Sequence, residues 1–146
     1  MVKSLQTWGA LRSEVASVAA QLRAMGVVQG DRVVAILPNT DTALVAFLAS
    51  ASIGAVWSLC APDMGHVAIL DRFKQVAPKV LIAQDGYVHG GKTIDRRDVL
   101  AQINAGLPSV TQFVTKTVVG ELPAGHLEWD TLTQDELPYE GTQVPF

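Results

Sequence analysis

Cysteine is nearly absent from this sequence, which has a single one, Cys60, in 146 residues. One thiol cannot form an internal disulfide, so the class of small domains held together by disulfides is excluded. A reducing compartment is the simpler setting for such a chain, and we predict a cytoplasmic location. The sequence opens without the basic stretch and apolar run of a secretory signal, so we expect no signal peptide.

Long uninterrupted apolar runs are also missing. The nearest approach is residues 43–61, which carry no charge but are interrupted by Ser50, Ser52, Gly54 and Ser58. A membrane-spanning helix needs about 20 predominantly apolar residues without such a break. The stretch divides naturally at Gly54 into a helix and a strand, so we predict two buried elements and no membrane partner.

Positive charge is scarce and unevenly placed. All 11 Lys and Arg lie in residues 1–116, whereas residues 117–146 carry only acids, namely Glu121, Glu128, Asp130, Asp135, Glu136 and Glu140. The first part is too weakly basic for the clustered stripe of a nucleic-acid surface, so we predict no nucleic-acid partner. With 49% hydrophobic and 17% charged residues, the chain has the balance of one globular domain.

The sequence does contain a regular alternation of helix and strand signals. Thr7 can cap a first helix, whose apolar residues recur at steps of three and four, and Gly26 can end it. We predict further helices over residues 41–53, 66–77 and 95–105. Four short apolar runs predict strands at residues 32–37, 55–60, 79–83 and 110–114.

This order predicts an α/β fold with a doubly wound, mostly parallel sheet of about four strands and flanking helices. Within the predicted strand at residues 32–37, residues 33–37 are all apolar, as expected when helices cover both faces of a sheet. The periodicity ends near residue 117, and prolines interrupt the remainder of the chain. We therefore predict two parts, an α/β unit over residues 1–116 and an extended acidic tail over residues 117–146.

A glycine-rich stretch after the third predicted strand is the main candidate for chemistry. Residues Gly86 to Thr93 match G-x-x-x-x-G-K-T, the pattern of a phosphate-binding P-loop in nucleoside triphosphatases. A P-loop runs directly into a helix, whereas Ile94 and Asp95 follow here, and Asp95 reads as a separate helix cap. The later predicted strand also ends in Thr115-Lys116 and lacks the Asp that would hold magnesium.

Two other interpretations of the glycine stretch remain open. The glycines can simply turn the chain after a strand. Alternatively, a loop with His89 and Lys92 at the carboxyl end of a parallel strand can hold a phosphate without triphosphatase activity, because doubly wound sheets bind ligands at that edge.

The remaining candidate residues predict structural roles. Cys60 ends an apolar strand, where a buried thiol is the default. His66 lies near Asp63, but two residues make no metal site, and we expect a loop or capping role. His126 stands alone in the tail, and we expect it to be exposed. Since no nucleophile, base and orienting residue come together, the sequence predicts no catalytic residue and no metal ligand.

Several short runs resemble the acyl-CoA synthetase branch of the adenylate-forming enzymes. They are Gln29-Gly30-Asp31-Arg32-Val33, Leu37-Pro38-Asn39, Ala46-Phe47-Leu48-Ala49, Ser52-Ile53-Gly54-Ala55-Val56-Trp57-Ser58 and Ala61-Pro62-Asp63. Three more are similar to the members of that branch that activate acetoacetate, namely Leu70-Asp71-Arg72-Phe73, Pro78-Lys79-Val80-Leu81 and Asp85-Gly86-Tyr87.

The resemblance implies a two-step ligase. ATP and acetoacetate, or a similar short acyl acid, give an acyl-adenylate and pyrophosphate, and CoA then gives acyl-CoA and AMP, with Mg²⁺ required. Family members are several times longer than this chain. Their ATP loop, acyl pocket and catalytic residues lie downstream of the matching part, so we expect an internal excerpt of an amino-terminal domain that is inactive alone and binds no cofactor tightly.

The resemblance also implies a role for the glycine stretch. In related acetyl-CoA synthetases the equivalent loop begins and ends with basic residues and contacts the 3′-phosphate of CoA. His89, Gly90, Gly91 and Lys92 would occupy those positions. The relatives carry arginine at the position of His89, and histidine is a weaker, pH-dependent partner, so Lys92 is the stronger candidate.

An excerpt would expose surface that the rest of the enzyme normally covers, so we expect the chain to self-associate. Two alternatives predict other outcomes. A small P-loop triphosphatase would bind ATP and Mg²⁺ through residues Gly86 to Thr93. A non-catalytic α/β binding module would have no apolar face in need of a partner.

Overall fold

The computed structural model describes residues 7–134, and the last part of the predicted tail, residues 135–146, lies outside the described residues. The elements in chain order are α1 (Trp8–Ala24), β1 (Arg32–Ile36), α2 (Asp41–Ser52), β2 (Val56–Cys60), α3 (His66–Lys74), β3 (Val80–Gln84), β4 (Gly86–His89), β5 (Lys92–Asp95), α4 (Arg97–Ala105), β6 (Gln112–Lys116), β7 (Leu127–Glu128) and α5 (Trp129–Leu132). The four predicted helices and four predicted strands are all present.

Five of the strands form one sheet in the order β2-β1-β3-β6-β7, and each neighbouring pair is parallel. In the middle of the sheet, Val33 pairs with Trp57 of β2 on one side and Val80 of β3 on the other. Helices cover both faces, which explains the continuous apolar runs of β1 and β3. The predicted doubly wound, mostly parallel α/β fold is confirmed.

The sheet separates two apolar layers. On one face, α1 and α2 bury residues such as Leu22 and Ala46 against β1 and β3. On the other face, α3 and α4 bury Ile69, Phe73 and Ile103 against the alternate residues of the same strands. All five of these side chains are fully buried.

Several element boundaries differ by one to three residues from the sequence prediction, and those of α3 and α4 have a clear structural cause. Helix α3 ends at Lys74, before the predicted residue 77, because Ala77 has a left-handed φ of +46° that no helix can continue through. Arg32 holds this turn by donating hydrogen bonds of 2.8 Å to the carbonyl oxygens of Val76 and Ala77. Helix α4 begins at Arg97, two residues late, because Asp95 still belongs to strand β5.

Residues 117–134 contain two short elements that the sequence does not predict. Strand β7 pairs with β6 through Val114 and Leu127, and α5 buries Trp129 and Leu132. The hydroxyl of Ser17 on α1 donates a 2.5 Å hydrogen bond to the carbonyl of Leu132. Elements of two and four residues are too short to show a period. The proposed division of the chain at residue 117 stays a prediction.

Within residues 7–134, none of the helices has the length and apolar character required to cross a membrane.

Candidate functional site

The glycine stretch forms an antiparallel β-hairpin that leaves the carboxyl edge of the sheet. Strand β3 ends at Gln84, and after Asp85 the chain runs out along β4 and returns along β5. The two strands meet in the turn Gly90-Gly91, whose φ angles are +58° and +76°. Positive φ at both central residues defines the type I′ geometry that matches the twist of a hairpin, and glycine adopts it without strain.

The hairpin rules out P-loop geometry for these residues. Lys92 and Thr93 lie in β5 and pair with His89 and Val88 of β4. A P-loop requires the Lys-Thr pair to open a helix, so that the helix N-terminus faces the phosphates. The nearest helix, α4, begins only at Arg97. The match to the triphosphatase pattern is therefore a coincidence of residue types.

His89 and Lys92 are brought together at the tip. They form the last pair of the hairpin before the turn, and side chains of directly opposed residues project from the same face of a two-stranded ribbon. Both side chains are exposed, and among the described residues neither makes a hydrogen bond or an ion pair. A Cβ placed on Gly90 or Gly91 would have no atom within 4 Å, so the turn is open to a ligand.

The base of the hairpin is tied to the sheet by Asp85, a residue to which sequence reasoning assigns no role. Its side chain is buried, with 2% of its surface exposed. Its Oδ1 accepts hydrogen bonds from the N–H groups of Val118 at 2.7 Å and Val119 at 3.0 Å, and its Oδ2 accepts one from Gly120 at 3.0 Å. The carboxylate thus fastens the segment after β6 to the end of β3.

The segment 118–120 packs closely against the hairpin and against α4. A Cβ on Gly86 would collide with the side chain of Val119 and lie 2.7 Å from the carbonyl oxygen of Ile94. A Cβ on Gly120 would lie 2.9 Å from Cδ of Arg97. Gly86 therefore requires glycine because of close packing against the backbone, although its φ is not positive, whereas a side chain at Gly120 would only displace the flexible side chain of Arg97.

Asp95 and Arg97 join the end of the hairpin to helix α4. The Arg97 guanidinium donates to both carboxylate oxygens of Asp95 at 2.6 to 3.0 Å, and Asp95 Oδ1 also accepts from the Arg97 backbone N–H at 2.9 Å. These hydrogen bonds lower the pKa of Asp95 to about 2. The expectation that Asp95 is the helix cap is wrong by one residue: the N-cap of α4 is Arg96, and Asp95, the last residue of β5, reaches past it to the N–H of Arg97.

The expectation that His126 would be exposed is wrong. Its Nδ1 lies 2.8 Å from Oγ1 of Thr115, and its ring stacks on Phe113 with centroids 5.1 Å apart and an interplanar angle of 19°. Burial lowers the pKa of the imidazole. Strand β7, which begins at the next residue, brings His126 back over the sheet; the sequence signal of so short a strand is too weak to find.

The remaining candidates have structural roles. Cys60 is buried at the end of β2, as predicted, and burial raises the pKa of its thiol. His66 is the first residue of α3. Within the part of the chain that the structure describes, no three His, Cys, Asp or Glu side chains are grouped closely enough to hold a metal ion.

A mostly apolar cavity of about 300 Å³ lies between α4, β3 and β6. Leu81, Leu100 and Phe113 line it, together with Asn104, whose buried Oδ1 has no hydrogen-bond partner among the described residues. None of the residues proposed from the sequence as phosphate contacts lies in it.

The opposite side of the molecule has an unpaired sheet edge. Strand β2 is the outermost strand, and it exposes Val56 by 49% and Leu59 by 36%. Next to it, α2 exposes Leu44 and Phe47, and Phe47 contacts Trp57 of β2 at a ring-centroid distance of 6.2 Å. We call Val56–Cys60 with Leu44 and Phe47 the β2 edge surface. No charged residue occurs in it.

The chain matches a sequence family described as AMP-binding enzyme over residues 3–144. Among curated proteins, it is 46% identical over 108 residues to acetoacetyl-CoA synthetase of Macaca fascicularis, covering 74% of this chain and 16% of that protein. It is 45% identical over 109 residues to acetoacetyl-coenzyme A synthetase of Rhizobium meliloti (strain 1021), covering 71% of this chain and 16% of that protein. The chain therefore spans about a sixth of the length of these relatives.

Among solved structures, the chain is similar to acetoacetyl-CoA synthetase from Streptomyces lividans, with a TM-score of 0.95 and 48% identity over 97% of this chain and 22% of that one. It also resembles the fold of an acyl-CoA synthetase from Brucella canis, with a TM-score of 0.72 and 24% identity over 90% of this chain and 22% of that one.

Proposed function

Because the chain belongs to the family of AMP-binding enzymes, we propose that it is a segment of a longer acid–CoA ligase that activates acetoacetate. The observation that carries this proposal is the similarity to the Streptomyces lividans enzyme, at 48% identity and a TM-score of 0.95 over nearly the whole chain. The chain covers only 16% of the length of the curated relatives, which supports the interpretation that it is an excerpt of a longer enzyme.

The proposed reaction of the longer enzyme has two steps. The carboxylate of acetoacetate attacks the α-phosphate of ATP, which gives acetoacetyl-AMP and pyrophosphate. The thiol of CoA then attacks the acyl carbon, which gives acetoacetyl-CoA and releases AMP. We assign no catalytic residue to this chain and propose that it is inactive alone.

The part of this reaction that we assign to the chain is a contact with the 3′-phosphate of CoA. His89, Gly90, Gly91 and Lys92 form the exposed tip of the hairpin, and its geometry fits a phosphate. Lys92 offers a positive charge with three N–H donors, and His89 stands beside it on the same face. The two glycines keep side chains away from the turn. A protonated His89 would add a second charge.

We propose that the ligands of ATP and Mg²⁺ lie in the remainder of the longer enzyme, as the resemblance to the family implies. A cytoplasmic location remains our prediction from the single cysteine.

The β2 edge surface is the place where we propose that the chain needs a partner. Natural edge strands carry charges or prolines that prevent pairing, whereas Val56–Cys60 has neither. Its apolar composition is that of a strand in the middle of a sheet. We propose that the rest of the longer enzyme covers this edge, and that the isolated chain covers it by self-association.

A hybrid enzyme tests the proposed function. In it, this chain replaces the matching segment of the Streptomyces lividans acetoacetyl-CoA synthetase. We expect the hybrid to form acetoacetyl-CoA and AMP from acetoacetate, ATP and CoA, and the isolated chain to form neither. A folded hybrid without this activity would contradict the proposal. ATP hydrolysis by the isolated chain that is lost in Lys92→Ala would instead support a triphosphatase.

A further inference from the structure

The only charged residue in the buried core of the described chain, Asp85, has no part in the reaction proposed above. Its main chain sits at the junction where the hairpin leaves the sheet and returns to it. The Asp85 N–H donates to the carbonyl of Lys116 at 3.2 Å, and its carbonyl accepts from the N–H of Arg96 at 2.9 Å. One residue thus connects the end of β6, the start of β4 and the chain that follows β5.

The side chain of Asp85 adds a second connection. Three successive backbone N–H groups, those of Val118, Val119 and Gly120, converge on its two carboxylate oxygens. Successive N–H groups that point inward form a nest for an anion, and here the anion is part of the protein. No ion pair to Asp85 occurs among the described residues, so these N–H groups are the direct partners of the buried charge, and the guanidinium of Arg97 adds a longer-range attraction.

The segment held by Asp85 in turn supports the hairpin. Val119 packs on Gly86, the first residue of β4, so closely that no Cβ fits between them. On the other side, Gln84 donates a 2.7 Å hydrogen bond from Nε2 to the carbonyl of Gly86. The base of the hairpin is therefore enclosed between the end of β3 and the segment 118–120, and its direction is set there.

We infer that Asp85 is a positioning residue for CoA: by holding residues 118–120 against Gly86, it fixes the direction of the hairpin and so the place of Lys92. This inference rests on the proposed contact between the hairpin and the 3′-phosphate. The base pair of the hairpin, Gly86 and Asp95, and its tip pair, His89 and Lys92, are three residues apart, or roughly 10 Å at about 3.3 Å per residue. A rotation of ~10° at the base would move the tip by about 2 Å, enough to break a hydrogen bond.

Kinetics of the hybrid enzyme test the inference. Asp85→Asn replaces an acceptor of three hydrogen bonds with an amide whose NH₂ group faces N–H donors. We expect the KM for CoA to rise at least about threefold, while acetoacetate-dependent ATP–pyrophosphate exchange, which requires no CoA, stays unchanged. With 3′-dephospho-CoA, which lacks the contacted phosphate, we expect Asp85→Asn to have no effect on KM.

Two further variants make the test independent of whether Asp85→Asn folds. Gly86→Ala keeps the carboxylate but introduces a Cβ where Val119 packs, so it should raise the KM for CoA in the same phosphate-dependent way. Asp71→Asn removes an exposed carboxylate of α3 and should change nothing. In the isolated chain, amide hydrogen exchange of residues 118–120 should be faster in Asp85→Asn than in the unaltered protein.

The outcomes separate the inference from the proposed function. A KM that rises equally for CoA and 3′-dephospho-CoA, or an exchange reaction that slows in parallel, would overturn the positioning role in favour of general structural support. If the KM for CoA rises in Lys92→Ala but stays unchanged in Asp85→Asn and Gly86→Ala, the positioning role is rejected and the phosphate contact is kept. An unaltered KM in Lys92→Ala would reject the phosphate contact, and the inference with it.

Discussion

His89 and Lys92 stand directly opposite each other across the Gly90-Gly91 turn, so that a single face of the hairpin tip carries both basic side chains. Neither side chain is engaged by another described residue, which leaves both available to an anion. This pairing leads to two predictions about CoA that can be measured in the hybrid enzyme.

Replacing Lys92 with alanine removes the permanent charge at the tip. We expect Lys92→Ala to raise the KM for CoA about fivefold, the equivalent of ~1 kcal/mol for a charge-assisted contact at an exposed site. With 3′-dephospho-CoA the variant should match the unaltered hybrid. Lys74→Ala is the matched control. Lys74 is the last residue of α3 and precedes the start of β3, so it lies at the amino ends of the strands, whereas the hairpin leaves from their carboxyl ends. Equal effects of the two substitutions would contradict the contact.

Replacing His89 with arginine should strengthen the contact. An imidazole carries a charge only when protonated, whereas a guanidinium is always charged and can bind a phosphate with two hydrogen bonds. We expect His89→Arg to lower the KM for CoA of the hybrid at pH 8 and to leave the KM for 3′-dephospho-CoA unchanged. An equal KM for CoA in the two enzymes would exclude a contribution from the side chain at this position.

The sequence predicts the helices and central strands of the fold, but it predicts the site only in part. Apolar runs bounded by turns predict β1 and β3, because central strands of parallel sheets are apolar on both faces. The hairpin strands escape prediction because they are exposed, and Val88 and Ile94 give too little alternation to mark them. The turn itself is foreseeable, since two successive glycines suit a type I′ hairpin.

The role of Asp85 cannot be predicted from the sequence. A lone Asp before a glycine reads as a turn residue, and its three partners at residues 118–120 are more than 30 positions away. Such a contact forms only because β3 and β6 are neighbours in the sheet. The order of the strands in the sheet determines this, and local sequence patterns do not reveal that order. The partial burial of His126 escapes prediction for the same reason, because a two-residue strand returns it to the sheet.

The packing of α3 against the sheet can be tested by truncating one buried side chain. Phe73 is fully buried, and Phe73→Ala leaves a cavity between α3 and the sheet. We expect a loss of about 3–5 kcal/mol in the free energy of unfolding, measured by urea denaturation of the isolated chain. Val67 lies on the same helix but is 62% exposed, so Val67→Ala should change the stability by less than about 0.5 kcal/mol. Similar losses for both would mean that α3 does not pack as described.

The partly buried His126 predicts a pH dependence of stability. Burial lowers the pKa of His126 below its usual 6.5 in the folded protein. Below pH 6.5 the unfolded chain therefore takes up a proton before the folded chain does, and the free energy of unfolding falls. Above that pH the imidazole is neutral in both states, and its contribution is fully present.

His126→Gln isolates this effect, because glutamine can still hydrogen-bond to Thr115 but does not titrate. We expect the difference in stability between the unaltered chain and His126→Gln to shrink or reverse in favour of the variant as the pH falls from 7 to 5. Carboxylates titrate in both proteins and cancel in the difference. A difference that is constant over this range would contradict the burial of the imidazole.

The β2 edge surface predicts the behaviour of the isolated chain in solution. An unpaired strand without charge or proline is a template for pairing with another strand, so we expect the mass measured by analytical ultracentrifugation to rise with protein concentration. Leu59→Lys places a charge on the edge and should keep the chain monomeric. Val67→Lys, which introduces the same charge on α3, should still associate. A strictly monomeric unaltered chain would contradict the prediction.

The same substitution distinguishes self-association from the covering that we propose in the longer enzyme. In the isolated chain Leu59 is 36% exposed, so Leu59→Lys should cost little folding stability. In the hybrid, where another part of the polypeptide would cover the edge, the lysine would be buried without a partner, and burying an unpaired charge is strongly destabilising. We therefore expect Leu59→Lys to lower the melting temperature of the hybrid well beyond its effect on the isolated chain. Equal effects in both would indicate that the edge stays open to solvent in the full-length enzyme.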